Sequence, residues 1–316
     1  MLTRRKAFLY KVEGTKGVDA APVAPDDVII PNGDLNISIP TEQDTGEGDL
    51  KSTFGPGESV TIKQAMSIEI STRVRGLGQG ASALLVPSIH AMLMASGHDY
   101  NPTGDGSATP RAVVYTPTSV EASLKSATGY FYEDGLLYKL IQAANNLSFE
   151  ASMTALMAKG TAQAGYLAPT VVAIPAISAQ TEEVFRMTST LCAVTDEGTP
   201  INIGSFTFDP GVDIQESYAT GEHFFEVANR NPTLVIDPKA VATADDWNAL
   251  TNATSVEIIA TFTNSIGETL VFHFPRAVPS DMSSGDRAAR ITRGKTFSLK
   301  ETATDDQYSI TWTSVL

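Results

Sequence analysis

The sequence predicts a mainly β protein, built as two tandem β-sandwich or barrel domains, each with a short flanking α-helix. Three observations carry this. Long stretches alternate strictly between apolar and polar residues, the period of a half-buried strand. Asp134-Gly135 sits between Tyr130-Phe131-Tyr132 and Leu136-Leu137-Tyr138. Asp-Gly between apolar runs is a strong hairpin signal, because a type I′ turn needs positive φ at both central residues. A similar strand–turn–strand unit returns in the second half, from Thr261-Phe262 through Ile266-Gly267 to Leu270-Val271-Phe272. Repetition of a β unit within one chain implies two related domains.

Taken in order, residues 1–29 read as an N-terminal arm, broken by Gly17, Pro22 and Pro25. The first domain spans 30–167. It opens with a strand over Asp34 to Ile39, ended by Pro40. An acidic, Gly-rich loop follows at 41–59, with Asp44, Glu47 and Asp49 among its acids and Phe54 as its one aromatic residue. Loops of this length inside compact domains are uncommon and often functional. Val60 to Ser71 alternates cleanly, with Ile62, Met66, Ile68 and Ile70 against Thr61, Lys63, Ser67 and Glu69. A helix is expected through Leu84, Leu85, Ile89, Met92 and Leu93, with Gly97 as its stop. After the Asp134-Gly135 hairpin, one long strand is read from Leu147 to Met157, placing Phe149, Met153 and Met157 inward and Ser148, Glu150 and Ser152 outward.

Residues 168–181 read as a Pro-containing extended linker. The second domain spans 182–316. Phe206 and Phe208 alternate with Thr207 and Asp209; Val212 and Ile214 alternate with Asp213 and Gln215. A short turn is placed at Tyr218 to His223, and a short helix at Asp245 to Leu250 with its acids in the first turn. Ser255 to Thr263 and Thr269 to Phe274 form the second hairpin, Ser280 to Arg290 reads as a polar insertion, and Tyr308 to Leu316 closes the sheet.

Composition narrows the function. A hydrophobic content of 42% with 18% charged residues describes a folded chain rather than a disordered one. The net charge of −14 argues against wrapping nucleic acid, which needs Lys and Arg against phosphate. Cys192 is the sole cysteine, so no internal disulfide forms. No stretch is apolar for long enough to suggest a membrane-spanning helix. His90, His98, His223 and His273 are scattered without metal-ligand spacing. There is no nucleophile elbow or P-loop lysine, and Gly76, Gly78 and Gly80 lack dinucleotide-binding spacing. No cofactor is expected, and the reading is of a structural or binding protein rather than an enzyme.

The order of elements resembles the major tail tube proteins of bacteriophages with long non-contractile tails, in a two-domain form. The resemblance runs through Leu2-Thr3-Arg4-Arg5, Ser71-Thr72-Arg73-Val74-Arg75-Gly76 and Val114-Tyr115-Thr116-Pro117. It continues in Tyr130 to Leu140, Ala164-Gly165-Tyr166-Leu167-Ala168-Pro169 and Gly204-Ser205-Phe206-Thr207-Phe208-Asp209. It implies a virion protein, assembled in the host cytoplasm, whose rings stack into a tube that conducts DNA. A two-domain chain implies trimeric rings. The implied partners are further copies of itself, the tape-measure protein, the tail terminator and distal tail proteins, with DNA passing transiently and no membrane. The 41–59 loop, with Asp44, Glu47, Asp49 and Phe54, is the expected ring-to-ring contact. The polar strand faces are the expected lumen lining, an acidic surface built from Glu69, Glu150, Asp209, Asp213 and Glu257, with Thr61 and Ser67 between them. Alternative readings are a two-domain adhesin, a capsid decoration protein or a secretion-system tube protein.

Overall fold

A computed structural model describes residues 6–45, 59–77, 86–104, 110–177, 180–239 and 244–315. Strand β1 (Lys6–Val12) precedes β2 (Asn36–Ser38), β3 (Thr41–Asp44) and β4 (Val60–Arg73). Helix α1 (His90–Met94) leads into β5 (His98–Thr103), β6 (Ala112–Pro117), β7 (Ala127–Glu133) and β8 (Leu136–Asn145). Then come β9 (Ser148–Ala151), β10 (Met157–Gly165) and the short β11 (Thr170–Val171). The second half holds β12 (Cys192–Asp196), β13 (Thr199–Ile201), β14 (Phe206–Asp209), β15 (Val212–Ala219), β16 (Glu222–Arg230) and β17 (Thr233–Ile236). Helix α2 (Asp245–Thr251) is followed by β18 (Val256–Thr263), β19 (Thr269–Arg287), β20 (Arg290–Leu299) and β21 (Ser309–Thr313). The protein is mainly β, and among the described residues α1 and α2 are its α-helices; Leu84 and Leu85, expected at the start of the first helix, lie outside the described residues.

The pairings between named strands are antiparallel. One run of neighbours is β2–β4–β10–β9–β14–β17–β20. A second is β5–β6–β21–β19–β18–β12–β13. Strand β19 belongs to both, pairing with β18 and β21 near its start and with β20 further along, with a register shift between Pro279 and Asp281. A third group, β1–β7–β8, joins the first where β8 meets β10. Strands β15 and β16 pair only with each other and form a separate ribbon.

Aromatic rings fill the space between the first two runs. Phe149, Phe206 and Phe208 from one meet Phe262, Phe272, Phe274 and Tyr308 from the other. Their ring centroids lie 5.1 Å apart for Phe149–Phe272, 5.4 Å for Phe206–Phe262, 5.0 Å for Phe208–Phe274 and 4.8 Å for Phe208–Tyr308. All seven are buried. Such edge-on and tilted pairs add stabilisation beyond the area they remove from water. In the third group, β7 is buried on both faces. Phe131 points into this main cluster, whereas Tyr130 and Tyr132 join a smaller one with Ala7, Leu9 and Val28.

The Asp134-Gly135 hairpin forms as read, with φ of 46° and 93° at its two turn residues. Four expectations are corrected. Residues 6–12 are no arm: Ala7, Phe8, Leu9 and Tyr10 are buried in a strand paired with β7. The single strand read over Leu147 to Met157 is two strands. Met153 takes φ of 55° and is exposed, the chain reverses, and Met157 returns to pair with Glu150. Ser280 to Arg287 is no insertion but the far end of β19, which turns at Ala288-Ala289 into β20. Finally, the domains expected at 30–167 and 182–316 do not have separate cores. One buried cluster contains Ile68, Phe131 and Phe149 together with Phe206, Phe272 and Trp312. Backbone pairing also crosses between the halves, from β9 to β14 and from β6 to β21.

This sharing has a measurable consequence. Phe149→Ala should cost about 3–5 kcal/mol of stability, the usual range for emptying a large aromatic site. Hydrogen exchange under mild urea should show β4 and β18 amides losing protection together. Loss of β4 protection with β18 unchanged would mean the halves are energetically independent.

Candidate functional site

The candidate functional surface is the outer face of the first run of strands. Inward, it presents Ile68 and Ile70 of β4, Ala158 and Ala162 of β10, Phe149 of β9, Phe206 and Phe208 of β14, Leu234 and Ile236 of β17, and Phe297 of β20, all buried. Because successive strand residues point to opposite faces, register alone fixes what lies outward. One row is Asn36–Glu69–Thr161, and the next is Ser71–Lys159–Ser148. A third is Met157–Glu150–Thr207–Val235–Thr296, and a fourth Asp209–Thr233–Ser298. A polar wall thus crosses from the first half of the chain into the second without a break in pairing. Gly160 permits the crowding in its middle, since a Cβ there would collide with the Asn146 carbonyl oxygen. A cleft of ≈ 350 Å³ opens on the wall, lined among others by Asp34, Glu69, Ser148, Lys159, Thr161 and Asp209.

The expected lining residues divide by position. Glu69 and Asp209 are exposed and face this cleft; Asp209 accepts a hydrogen bond from the Gly211 N–H at 2.8 Å. Glu150 is half-buried on the same wall and forms an ion pair with Lys159. Ser67 lies on the wall opposite Gln163 and Ser38. Thr61 is exposed further along β4, where the strand pairs only with β3. Asp213 stands apart on the β15–β16 ribbon, held by the Gln215 amide at 3.0 and 2.9 Å. Glu257 belongs to β18, in the other run of strands, and accepts a hydrogen bond from His273 Nε2–H at 2.8 Å. The five acids therefore do not share one surface. The wall is also mixed in sign, since Lys159 and Arg73 lie on it with Glu69, Glu150 and Asp209. Of the loop residues, Asp44 ends β3 opposite Val60; Glu47, Asp49 and Phe54 lie outside the described residues.

The ribbon lies against β4. Tyr218 donates its hydroxyl to the Ile62 carbonyl at 2.7 Å. Lys63 reaches Glu216 at 2.8 Å and Glu42 at 3.6 Å, and His223 Nε2–H donates to Glu216 at 2.8 Å. Burial works against the Glu216 charge, but the hydrogen bonds from Lys63 and His223 outweigh it and hold the carboxyl below its usual range. The Glu216 hydrogen bond holds the Lys63 ammonium above its own.

Several buried polar groups carried no recognisable sequence signal. Glu13 is buried, and its carboxylate accepts four hydrogen bonds: from Gly17 N–H, Ser126 Oγ, Thr128 Oγ1 and Gln142 N–H, at 2.6–2.8 Å. His98 joins the two halves. Its Nδ1 lies 3.0 Å from the Leu93 carbonyl, which only accepts, so Nδ1 carries the proton and Nε2 accepts from the Tyr308 hydroxyl at 2.9 Å. Arg230 pairs with Asp305, and Ser119 binds the same carboxylate through its N–H at 2.8 Å and its hydroxyl at 2.6 Å. None of these sets contains an activated nucleophile. Burial pushes the Cys192 thiol up to about 11, leaving it unreactive at neutral pH. Among the described residues, no group of three or more His, Cys, Asp or Glu side chains could hold a metal ion. No helix there is long and apolar enough to cross a membrane. The sequence matches no family model and no curated protein.

Burial lowers both His90 and His98 to about 4 from 6.5. A histidine buried neutral favours folding fully above its unfolded pKa, and that contribution drains away as pH falls from 6.5 toward 4. Each is worth about 3 kcal/mol across that window. Urea unfolding midpoints should therefore drop steeply between those limits. His98→Gln should lower stability at neutral pH but flatten the slope by close to one proton. An unchanged slope would show that His98 does not titrate on unfolding.

Proposed function

We infer that this chain is a structural subunit that assembles with copies of itself into stacked rings forming a tube, the virion tail tube of a long-tailed phage, through which DNA passes. The observation that carries the reading is a mostly polar wall, continuous in strand pairing across both halves, with an apolar reverse face. A tube wall needs one dry face for packing and one wet face, and this surface offers both. The sequence resemblance and the lack of a catalytic constellation among the described residues support it. Ring closure is assigned to three copies, each contributing two related halves. Free strand edges are available for lateral contact: β5 pairs only with β6, and both ribbon edges are unpaired among the described residues. Closing such edges between subunits removes the hazard of open-ended pairing. The segment at 41–59, expected as a loop but opening with strand β3 paired to β4, is assigned to contact between rings. The tape-measure, terminator and distal tail proteins are the expected partners inside and at the ends of the tube.

On this reading Glu69, Glu150 and Asp209 face the lumen with Ser67, whereas Glu257 and Asp213 serve other surfaces. Carboxylates near a passing polyanion discourage its adsorption, and physiological salt shortens this repulsion to roughly 8 Å without removing it. Negative-stain microscopy of the concentrated protein tests the assembly itself. Rings or tubes with threefold or pseudo-sixfold symmetry are expected; isolated compact particles at every concentration would favour a monomeric binding module instead. If tubes form, Glu69→Lys/Asp209→Lys tubes should retain a fluorescent short DNA duplex on sedimentation at about 50 mM salt and release it near 0.5 M, while unmodified tubes retain none. Equal retention by both would remove these residues from the lumen.

A further inference from the structure

Residues 32–35 form an outward bow beside the wall. Pro31 bridges to Thr72 and Asn36 pairs with Glu69, so the bow stands opposite Ile70 and Ser71 alone. Both of its ends are held. On the near side, Thr72 Oγ1 donates to the Ile30 carbonyl at 2.7 Å and the Asn32 N–H to the Ser71 carbonyl at 2.6 Å. On the far side Leu35 is buried, and its carbonyl accepts from Lys6 Nζ at 2.7 Å. Between these anchors Asn32, Gly33 and Asp34 are exposed. Gly33 takes φ of 120°, which other residues rarely adopt, and a Cβ built there would meet no atom within 4 Å. Among the described residues, neither the Asn32 side-chain amide nor the Gly33 N–H has a hydrogen-bond partner.

We propose that Asn32-Gly33 is a site of spontaneous deamidation, where the chain gains a carboxylate with age. The Gly33 amide nitrogen gives its proton to solvent and attacks Asn32 Cγ. The new N–Cγ bond closes a five-membered imide, the Cγ–Nδ2 bond breaks, and ammonia leaves with the returned proton. Water then adds to either imide carbonyl, yielding aspartate or its β-linked isomer. One water is consumed and one ammonia released, with no oxidation or reduction. The reaction needs an unengaged backbone nitrogen next to the asparagine and a chain free to bring that nitrogen onto Cγ. Gly33 meets both needs, and no other asparagine in the sequence precedes a glycine. Asn101 and Asn231 precede proline, which has no N–H to react, and Asn145 is buried. The new charge would lie two residues from Asp34, which lines the cleft with Glu69 and Asp209. The β-linked product also adds a backbone carbon between two fixed ends, so the bow must lengthen. The charge at the edge of the wall thus depends on the age of the protein, whatever the wall does.

The test is peptide mass spectrometry on the full chain, kept folded for several weeks at mildly alkaline pH beside a sample unfolded in urea. The peptide carrying Asn32 should gain the mass difference between OH and NH2, as a mixture of aspartate and isoaspartate, while Asn36 stays intact. Because the bow needs no unfolding to react, the folded chain should convert within an order of magnitude of the unfolded rate. Ion exchange should resolve an acidic species from the aged protein that Asn32→Gln, whose imide ring would need six members, does not form. An intact Asn32, conversion no faster than at Asn36, protection beyond an order of magnitude in the folded chain, or the same acidic species from Asn32→Gln would each overturn the proposal. None of these outcomes depends on whether the chain forms tubes.

Discussion

The packing of Phe149, Phe206 and Phe208 against Phe262, Phe272 and Phe274 is the constraint on which the rest of the fold depends. Each ring is fully buried and contributes about 2–3 kcal/mol by removal from water. What matters more is where the rings come from. Phe149 lies in β9, before the linker, and it stacks on Phe208 of β14, after it, with centroids 6.1 Å apart. The two strands are paired along their backbones, with Phe149 opposite Phe208 and Ala151 opposite Phe206. The rings therefore fix the register between the halves, and the polar residues on the reverse of those strands inherit it. Moving β9 by one residue would send Phe149 outward and Glu150 into the ring cluster.

Polar contacts reinforce the same join at its margins. The His98–Tyr308 bond, the Arg230–Asp305–Ser119 set and the Trp312 indole N–H on the Arg75 carbonyl at 3.1 Å all link first-half to second-half residues. Buried ionic and polar pairs of this kind add less stability than well-packed apolar groups would, but each tolerates only one geometry. The ring cluster fixes the register of the halves, and these bonds reinforce that one arrangement. Tyr115 illustrates the overlap: it sits edge-on to Trp312, 5.4 Å between centroids, while its hydroxyl meets His90 Nδ1 at 2.8 Å.

Much of the local structure was legible in the sequence because it obeys strong one-dimensional rules. Asp134-Gly135 marks a turn that few other residue pairs can form. The alternation of Met66, Ile68 and Ile70 with Ser67, Glu69 and Ser71 assigns each residue of mid-β4 to a face. The same rule misled at Met153 and Met157, whose spacing continues the pattern of Phe149 and Ala151 while the backbone reverses at Met153. Strand β10 was hidden because Ala158, Gly160, Ala162 and Ala164 pack closely against neighbours without the β-branched signature of a strand. Periodicity names the buried face of a strand but not its partner. For that reason the sequence placed Glu69 and Glu150 outward correctly and could not reveal that Glu257, equally outward, belongs to a different surface.

The shared core also limits how the proposed assembly could be built. Two domains on a flexible linker could each rotate to complete a ring, and symmetry errors would be cheap. Here β9–β14 and β6–β21 carry hydrogen bonds from one half to the other, so the polar wall is set within each chain before any partner arrives. Pre-organisation of this kind removes ordering cost from association. In a tube, adjustable seams would then lie between chains, with the free edges of β5 and of the β15–β16 ribbon among those available. Pro102 within β5 cannot donate to a neighbouring strand, which restricts how another chain could add there. The ribbon has no such block along Val212–Ala219, and its attachment to β4 through Tyr218 and Lys63 is side-chain only. Of these two edges, the ribbon is the one without a proline in its path.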